Sequence, residues 1–285
     1  MTRLLPVMGI LLGCCPLGVA AQEAVAQIAA QEQVTPQDAS MPALPTPPGL
    51  EQAQLRAGGK GANGTRMAAL EIALAPGWKT YWRSPGDAGI PPQIQFTGSS
   101  NLASAVVHWP APEVFLSSGM RTVGYHDGVV LPISVTPKDP GKPVQLKADV
   151  MIGICDNICV PVSLHLQTEV TGDGTPDAKI QAALAREPRK IDPQTRCETE
   201  PMKDGVRLTA RVDLPPAIGT ENALLELASR PVWVSEADSH REGDTLVTSA
   251  DFVPPDAKPF DLDPSDLRIT VLSDRGAVEI MGCTE

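Results

Sequence analysis

Four cysteines carry the residues most able to do chemistry in this chain: Cys155 and Cys159, separated by Asp156-Asn157-Ile158, and Cys197 and Cys283, far apart near its end. Thiols of this kind form disulfides, exchange electrons through them, or bind soft metals. The close pair sits in Ile152-Gly-Ile-Cys155-Asp-Asn-Ile-Cys159-Val-Pro161, an apolar segment on each side of an Asp-Asn turn. A turn there brings the two Cα atoms into the ~4.4–6.8 Å window a disulfide requires. Closing so short a loop yields only ~2 kcal/mol in the chain-entropy model, which suits a bond that opens in use. Cys197 and Cys283 bracket a long segment, where the same model gives ~4.5 kcal/mol and a structural staple. Two other readings of the close pair stay open. One is an inert structural disulfide; the other is a Cu(I) site completed by His126, His165, Met120 or Met151.

Exported location decides between disulfide and metal as the first reading, and the amino terminus supplies it. Arg3 precedes an apolar run from Leu4 to Val19, followed by small residues up to Ala21. That is a secretory signal over residues 1–21, too short for the roughly 20 apolar residues that span a bilayer. Leu11-Leu12-Gly13-Cys14 offers a weaker alternative, lipidation at Cys14. The expected address is the periplasm, where disulfides persist. The 285 residues carry a formal charge of −11, and losing Arg3 makes the mature chain more acidic, which argues against nucleic acid as a partner. Neither a Gly-x-Ser-x-Gly elbow nor a His-Glu-x-x-His motif is present, so hydrolase chemistry has no support. No cofactor is expected.

The elements that must hold the cysteines are strands. Residues 22–64 are rich in Ala, Gln and Pro and read as a disordered tether. From Met67 short alternating segments follow one another: Met67–Ala75, Gln93–Phe96, Ala105–Trp109, Val129–Val135, Val144–Ile154 and Val160–Val170. They predict a β-sandwich over 65–171. A connector at 172–194 contains the helical stretch Asp177–Arg186, and a second sandwich is expected over 195–285. Asp156 beside Cys155 disfavours a thiolate, so the attacking thiolate is expected from a partner. Seven of the ten aromatics fall between Trp78 and Tyr125, and their default reading is core packing. His126-Asp127-Gly128 reads as a hairpin turn.

Gly77-Trp-Lys-Thr-Tyr-Trp-Arg-Ser-Pro-Gly-Asp-Ala-Gly-Ile-Pro-Pro92, with Trp109-Pro-Ala-Pro112, Val123-Gly-Tyr125, Val130-Leu-Pro132 and Cys155-Asp-Asn-Ile-Cys159-Val-Pro161, resembles the amino-terminal periplasmic domain of thiol:disulfide interchange protein DsbD, on its suppressor-of-copper-sensitivity (ScsB) side. The resemblance covers about residues 65–170. It implies an immunoglobulin-like sandwich there and a Cys155/Cys159 pair that relays electrons; with the strand-rich stretch over 195–285, the expected chain is all-β with two such sandwiches. The source would be a membrane-embedded DsbD-like or CcdA-like reductase encoded separately. The recipients would be thioredoxin-like proteins, disulfide isomerases or copper-stress thiol proteins. A cap loop shielding the pair is implied within Phe115–Val123, just before Tyr125, with Phe115, Met120 and Tyr125 as the cap residues. The family's cap aromatic aligns near Ser118, which leaves Phe115 or Met120 to take its place. The alternative function is a copper-binding protein or thiol-protein scaffold.

Overall fold

In the computed structural model residues 47–285 are described, apart from Asp87, Ser118, Pro231 and Glu285. The proposed signal, Cys14 and most of the tether therefore lie outside the described residues. The first sandwich is built from β1 (Leu50–Lys60), β2 (Arg66–Leu74), β3 (Lys79–Gly86), β4 (Gln93–Gln95), β5 (Leu102–Val107), β6 (Glu113–Ser117), β7 (Met120–His126), β8 (Gly128–Pro137), β9 (Val144–Cys155) and β10 (Cys159–Val170). One sheet has the order β1-β2-β8-β5; the other runs β10-β9-β3-β7-β6, with β4 added on β9. Alternation runs along β9 from Val144 to Val150: Val144, Leu146, Ala148, Val150 and then Ile152 are buried, while Gln145, Lys147 and Asp149 face out. The buried set packs against Leu70, Ile72, Leu131, Ile133 and Trp82 between the sheets.

β1 corrects the tether. Residues 50–60 carry few large apolar side chains, yet the strand pairs antiparallel with β2 along its length and buries Leu50 and Leu55. An edge strand needs few apolar groups because its ladder satisfies the backbone. Gly58 also has a specific use, since a Cβ there would stand 2.8 Å from the Ile180 side chain.

That isoleucine belongs to α1 (Ala178–Leu184), which forms where the alanine-rich stretch predicts it and is capped by Asp177, whose carboxylate accepts from the N–H groups of Lys179 and Ile180. The helix covers the outer face of β2 and β8, with Ile180 packed on Met67 and Ala69. β2 is thus buried on both faces. A charge cluster locks the contact: Arg56 bonds Glu71 at 2.9 Å and Asp177 at 2.5 Å, and Lys179 also pairs with Glu71.

The second sandwich contains β11 (Arg189–Lys190), β12 (Thr195–Pro201), β13 (Val206–Asp213), β14 (Asn222–Leu227), β15 (Trp233–Val234), β16 (Asp238–Glu242), β17 (Thr245–Val253), β18 (Leu267–Ser273) and β19 (Gly276–Met281). Its sheets are β11-β19-β18-β14 and β12-β13-β17-β15, the latter with β16 on β17. Phe252, Leu208, Leu267 and Ile269 fill the space between them. Both sandwiches lie within one compact unit, Thr46–Glu285. Across their junction Arg83 bonds Glu226 and Glu279, each at 2.8 Å, and Arg268 bonds Glu226 at 3.0 Å.

Candidate functional site

β9 ends at Cys155 and β10 begins at Cys159, so the two residues stand directly opposite each other in one antiparallel ladder. Asp156, Asn157 and Ile158 make the turn, in which the Asp156 N–H donates to the Ile158 carbonyl at 3.2 Å. The Cα atoms are 4.2 Å apart and the sulfurs are joined. The bond is sharply asymmetric in access. Cys155 is 1 % exposed, whereas Cys159 lies open to solvent beside an Ile158 that is 67 % exposed.

β3 supplies the polar partner. The Tyr81 hydroxyl lies 3.0 Å from Cys155 Sγ and 3.4 Å from Cys159 Sγ. Disulfide sulfurs carry no hydrogen, so the phenol donates. Burial pushes its pKa above the ordinary tyrosine value, which keeps the proton on the oxygen. Thr80, on the opposite face, donates to the Gly153 carbonyl at 3.0 Å and ties β3 to β9 two residues before Cys155. Gly153 admits the Ile90 side chain, because a Cβ there would stand 2.8 Å from it. Tyr81 is the residue that sequence reasoning missed. It was legible only as one aromatic among several, since the pairing of β3 with β9 is a long-range fact.

The expected cap residues separate. Phe115 and Met120 lie on the hairpin of β6 and β7, Met120 two strands from the strand of Cys155 and Phe115 three. The Phe115 ring stacks at 4.8 Å on His126, and the Lys79 ammonium sits 4.9 Å from its centroid. Met120 and Leu116 are exposed at the hairpin tip. Tyr125 does not belong with them. It is 4 % exposed, part of the core, and donates to the Pro110 carbonyl at 2.8 Å. Burial raises its pKa as well. The turn after it also differs from expectation: Asp127 adopts a positive φ of 58°, but the chain passes from one sheet to the other instead of forming a hairpin.

Cys197 on β12 and Cys283 after β19 form the second disulfide, with Cα atoms 5.8 Å apart. It joins the two sheets of the second sandwich, and Thr284 reinforces it by bonding Thr195 through its N–H at 2.6 Å. The histidines weighed for copper have other partners: His126 bonds Glu113 at 2.9 Å and His165 bonds Asp149 at 2.6 Å. Among the described residues no group of three or more His, Cys, Asp or Glu gathers as a metal site.

A cysteine pair on adjacent strand ends of a sandwich, closed by a three-residue turn, can be set against known proteins. Residues 48–171 match the family "Thiol:disulfide interchange protein DsbD, N-terminal". The match begins before β1, so the matched segment includes the strand that composition assigns to the tether. Among solved structures, the crystal structure of the N-terminal periplasmic domain of ScsB from Proteus mirabilis is similar with a TM-score of 0.60 and 23 % identity, over 82 % of this chain and 95 % of that one. Coverage of that extent runs past residue 171 and takes in the fold of the second sandwich. None of the curated proteins matches the chain. No helix among the described residues is long and apolar enough to cross a membrane.

Proposed function

We propose that this chain is a periplasmic thiol-disulfide exchange module in which Cys159 receives the partner and Cys155 is the leaving sulfur. The observation that carries the reading is the asymmetry of the bond: Cys155 buried under a phenol donor, Cys159 open beside an exposed isoleucine. A partner thiolate attacks Cys159 Sγ in line with the disulfide. The Cys155–Cys159 bond breaks as the mixed disulfide forms, and its electron pair leaves on Cys155 Sγ, where the Tyr81 hydroxyl donates to the new anion. The partner's second thiolate then attacks its own sulfur in the mixed disulfide and frees Cys159. Two electrons have entered this chain and the partner is oxidised. Run backwards against an oxidised protein, the same steps pass the electrons on.

The electron source in this reading is a membrane-embedded DsbD-like or CcdA-like reductase, and the recipients are thioredoxin-like or disulfide isomerase proteins. Ile158, 67 % exposed in the turn between the two cysteines, gives such partners apolar contact beside the bond. The β6–β7 hairpin, through Phe115, is the element assigned to shield it. Residues 1–21 act as the export signal, and the second sandwich over 195–285 is a second domain stapled by Cys197–Cys283.

Trapping tests the assignment of roles. A Cys155→Ala variant, left with the open Cys159, should accumulate mixed disulfides with envelope thiol proteins, while Cys159→Ala should trap few. Equal trapping by both variants, or by neither, would remove the basis for the exchange reading.

A further inference from the structure

Cys159, Cys155, Lys79 and His126 face one another in turn across four neighbouring strands, β10, β9, β3 and β7. Directly opposed residues project from one face of a sheet with Cβ atoms about 4.5–5.5 Å apart. Lys79 is therefore the cationic neighbour of the buried Cys155. Its four-carbon stem is flexible and longer than the spacing between paired strands. In the disulfide state the ammonium rests instead over the Phe115 ring, on the far side of β7. Neutral sulfurs exert no pull on a cation, and an aromatic face does.

The other charges around the row are already engaged. On β7 and β6, His126 and Glu113 bond each other at 2.9 Å. On β3, Arg83 is held by Glu226 and Glu279. In the turn, Asp156 accepts from Asn157 at 2.9 Å and adds a negative charge beside Cys155. Tyr81 is a neutral donor. Lys79 is different, since among the described residues no carboxylate stands within ion-pair distance of it. A cation with only a ring for company, one strand from the atom on which an anion must appear, has a use when the bond opens.

We propose that Lys79 stabilises the Cys155 thiolate, exchanging the Phe115 ring for the sulfur when the disulfide is reduced. This rests on the exchange reading above. The electron pair released from the Cys155–Cys159 bond remains on Cys155 Sγ; Lys79 keeps its proton and contributes charge alone, offsetting Asp156. Phe115 is the resting place of the cation in the oxidised form, so the two residues bias the equilibrium in opposite directions.

Reduction potentials of the full chain, read by alkylation in glutathione buffers, test this for the wild type, Lys79→Met, Lys79→Arg and Phe115→Leu. Lys79→Met should shift the equilibrium about tenfold toward the disulfide, or about 30 mV more negative. Lys79→Arg should stay near the wild type. Phe115→Leu should move the other way, because it removes a contact made only in the oxidised form. In a Cys159→Ser background, Lys79→Met should also displace the alkylation profile of Cys155 to higher pH. An unchanged potential and profile in Lys79→Met, or shifts of the same sign in Lys79→Met and Phe115→Leu, would overturn the assignment. If the wild-type pair itself never equilibrates with glutathione, the exchange reading fails; if it does and Lys79→Met matches it, only the role of Lys79 fails.

Discussion

Replacing Tyr81 with Phe removes one oxygen and leaves the ring in place, which makes it a clean probe of how the Cys155–Cys159 bond opens. In the oxidised chain the hydroxyl donates to neutral sulfur, a weak acceptor, at 3.0 Å. Once Cys155 leaves as a thiolate the same hydrogen bond becomes charge-assisted, of the class worth about 1.5–3 kcal/mol. With about half of the charge developed on the leaving sulfur in the transition state, about 0.75–1.5 kcal/mol of that is available to the rate. Reduction by dithiothreitol should therefore slow about four- to thirteen-fold in Tyr81→Phe. The assay is a quenched time course with an alkylating agent, read by mass for label on Cys155 and Cys159, at one pH so that the attacking thiolate concentration is the same for both proteins. Cys197–Cys283 serves as the internal control. An equal rate in the variant would mean that the phenol only fills space and that the leaving-group account is wrong.

Three other expectations follow from the packing. Removing both Cys197 and Cys283 should lower unfolding stability by about 4.5 kcal/mol in urea melts, and removing both Cys155 and Cys159 by only about 2 kcal/mol; an inverted order would contradict the division between staple and working bond. Glu71 is held below the ordinary carboxylate value of 4.5 chiefly by the Lys179 ammonium, with Gln54 and Arg56 assisting. Its folded pKa is the lower one, so its contribution is present above pH ~4.5 and is lost as pH falls through the folded value; Glu71→Gln should flatten that acid limb of the stability curve, and an unaltered limb would count against it. Arg83→Met leaves Glu226 and Glu279, 13 % and 10 % exposed, facing each other with only Arg268 nearby. A cost of about 3–5 kcal/mol is expected by chemical denaturation, and a loss below about 1 kcal/mol would show that the junction carries little.

What could be read from the residues, and what could not, divides along physical lines. Strands β2, β9, β10, β13, β17 and β18 alternate apolar and polar residues or run apolar because one face meets a core, and that periodicity is local. The turn at Asp156-Asn157-Ile158 and the cap at Asp177 are local as well. β3 hides its character. Lys79-Thr-Tyr-Trp-Arg83 shows no alternation, because Trp82 enters the core on one face while Tyr81 and Arg83 are covered on the other by the disulfide and the second sandwich. β1 hides for the opposite reason, being an edge strand with little to bury. Tyr125 read as a cap residue from its place after the expected loop, yet it faces the core; position along the chain says nothing of which face of a strand a side chain takes until the register is known.

In the exchange reading the two disulfides among the described residues have different purposes, and the difference comes from where the sheet ends. Cys155 and Cys159 close a hairpin that the β9–β10 ladder would hold without them, since twelve consecutive residue pairs run from Cys155↔Cys159 to Val144↔Val170. Breaking that bond leaves the backbone where it was, so the two sulfurs stay near each other and can rejoin. Cys197, on β12, and Cys283, after β19, join different sheets, with the Thr195–Thr284 bonds alongside. Among the described residues no ladder joins β12 to β19, so the backbone does not hold those two sulfurs in register. A carrier must survive both of its states with the same fold, which requires its bond to be redundant to the structure. Only the first pair meets that condition, and it is also the pair with one sulfur open to a partner and the other beneath a phenol.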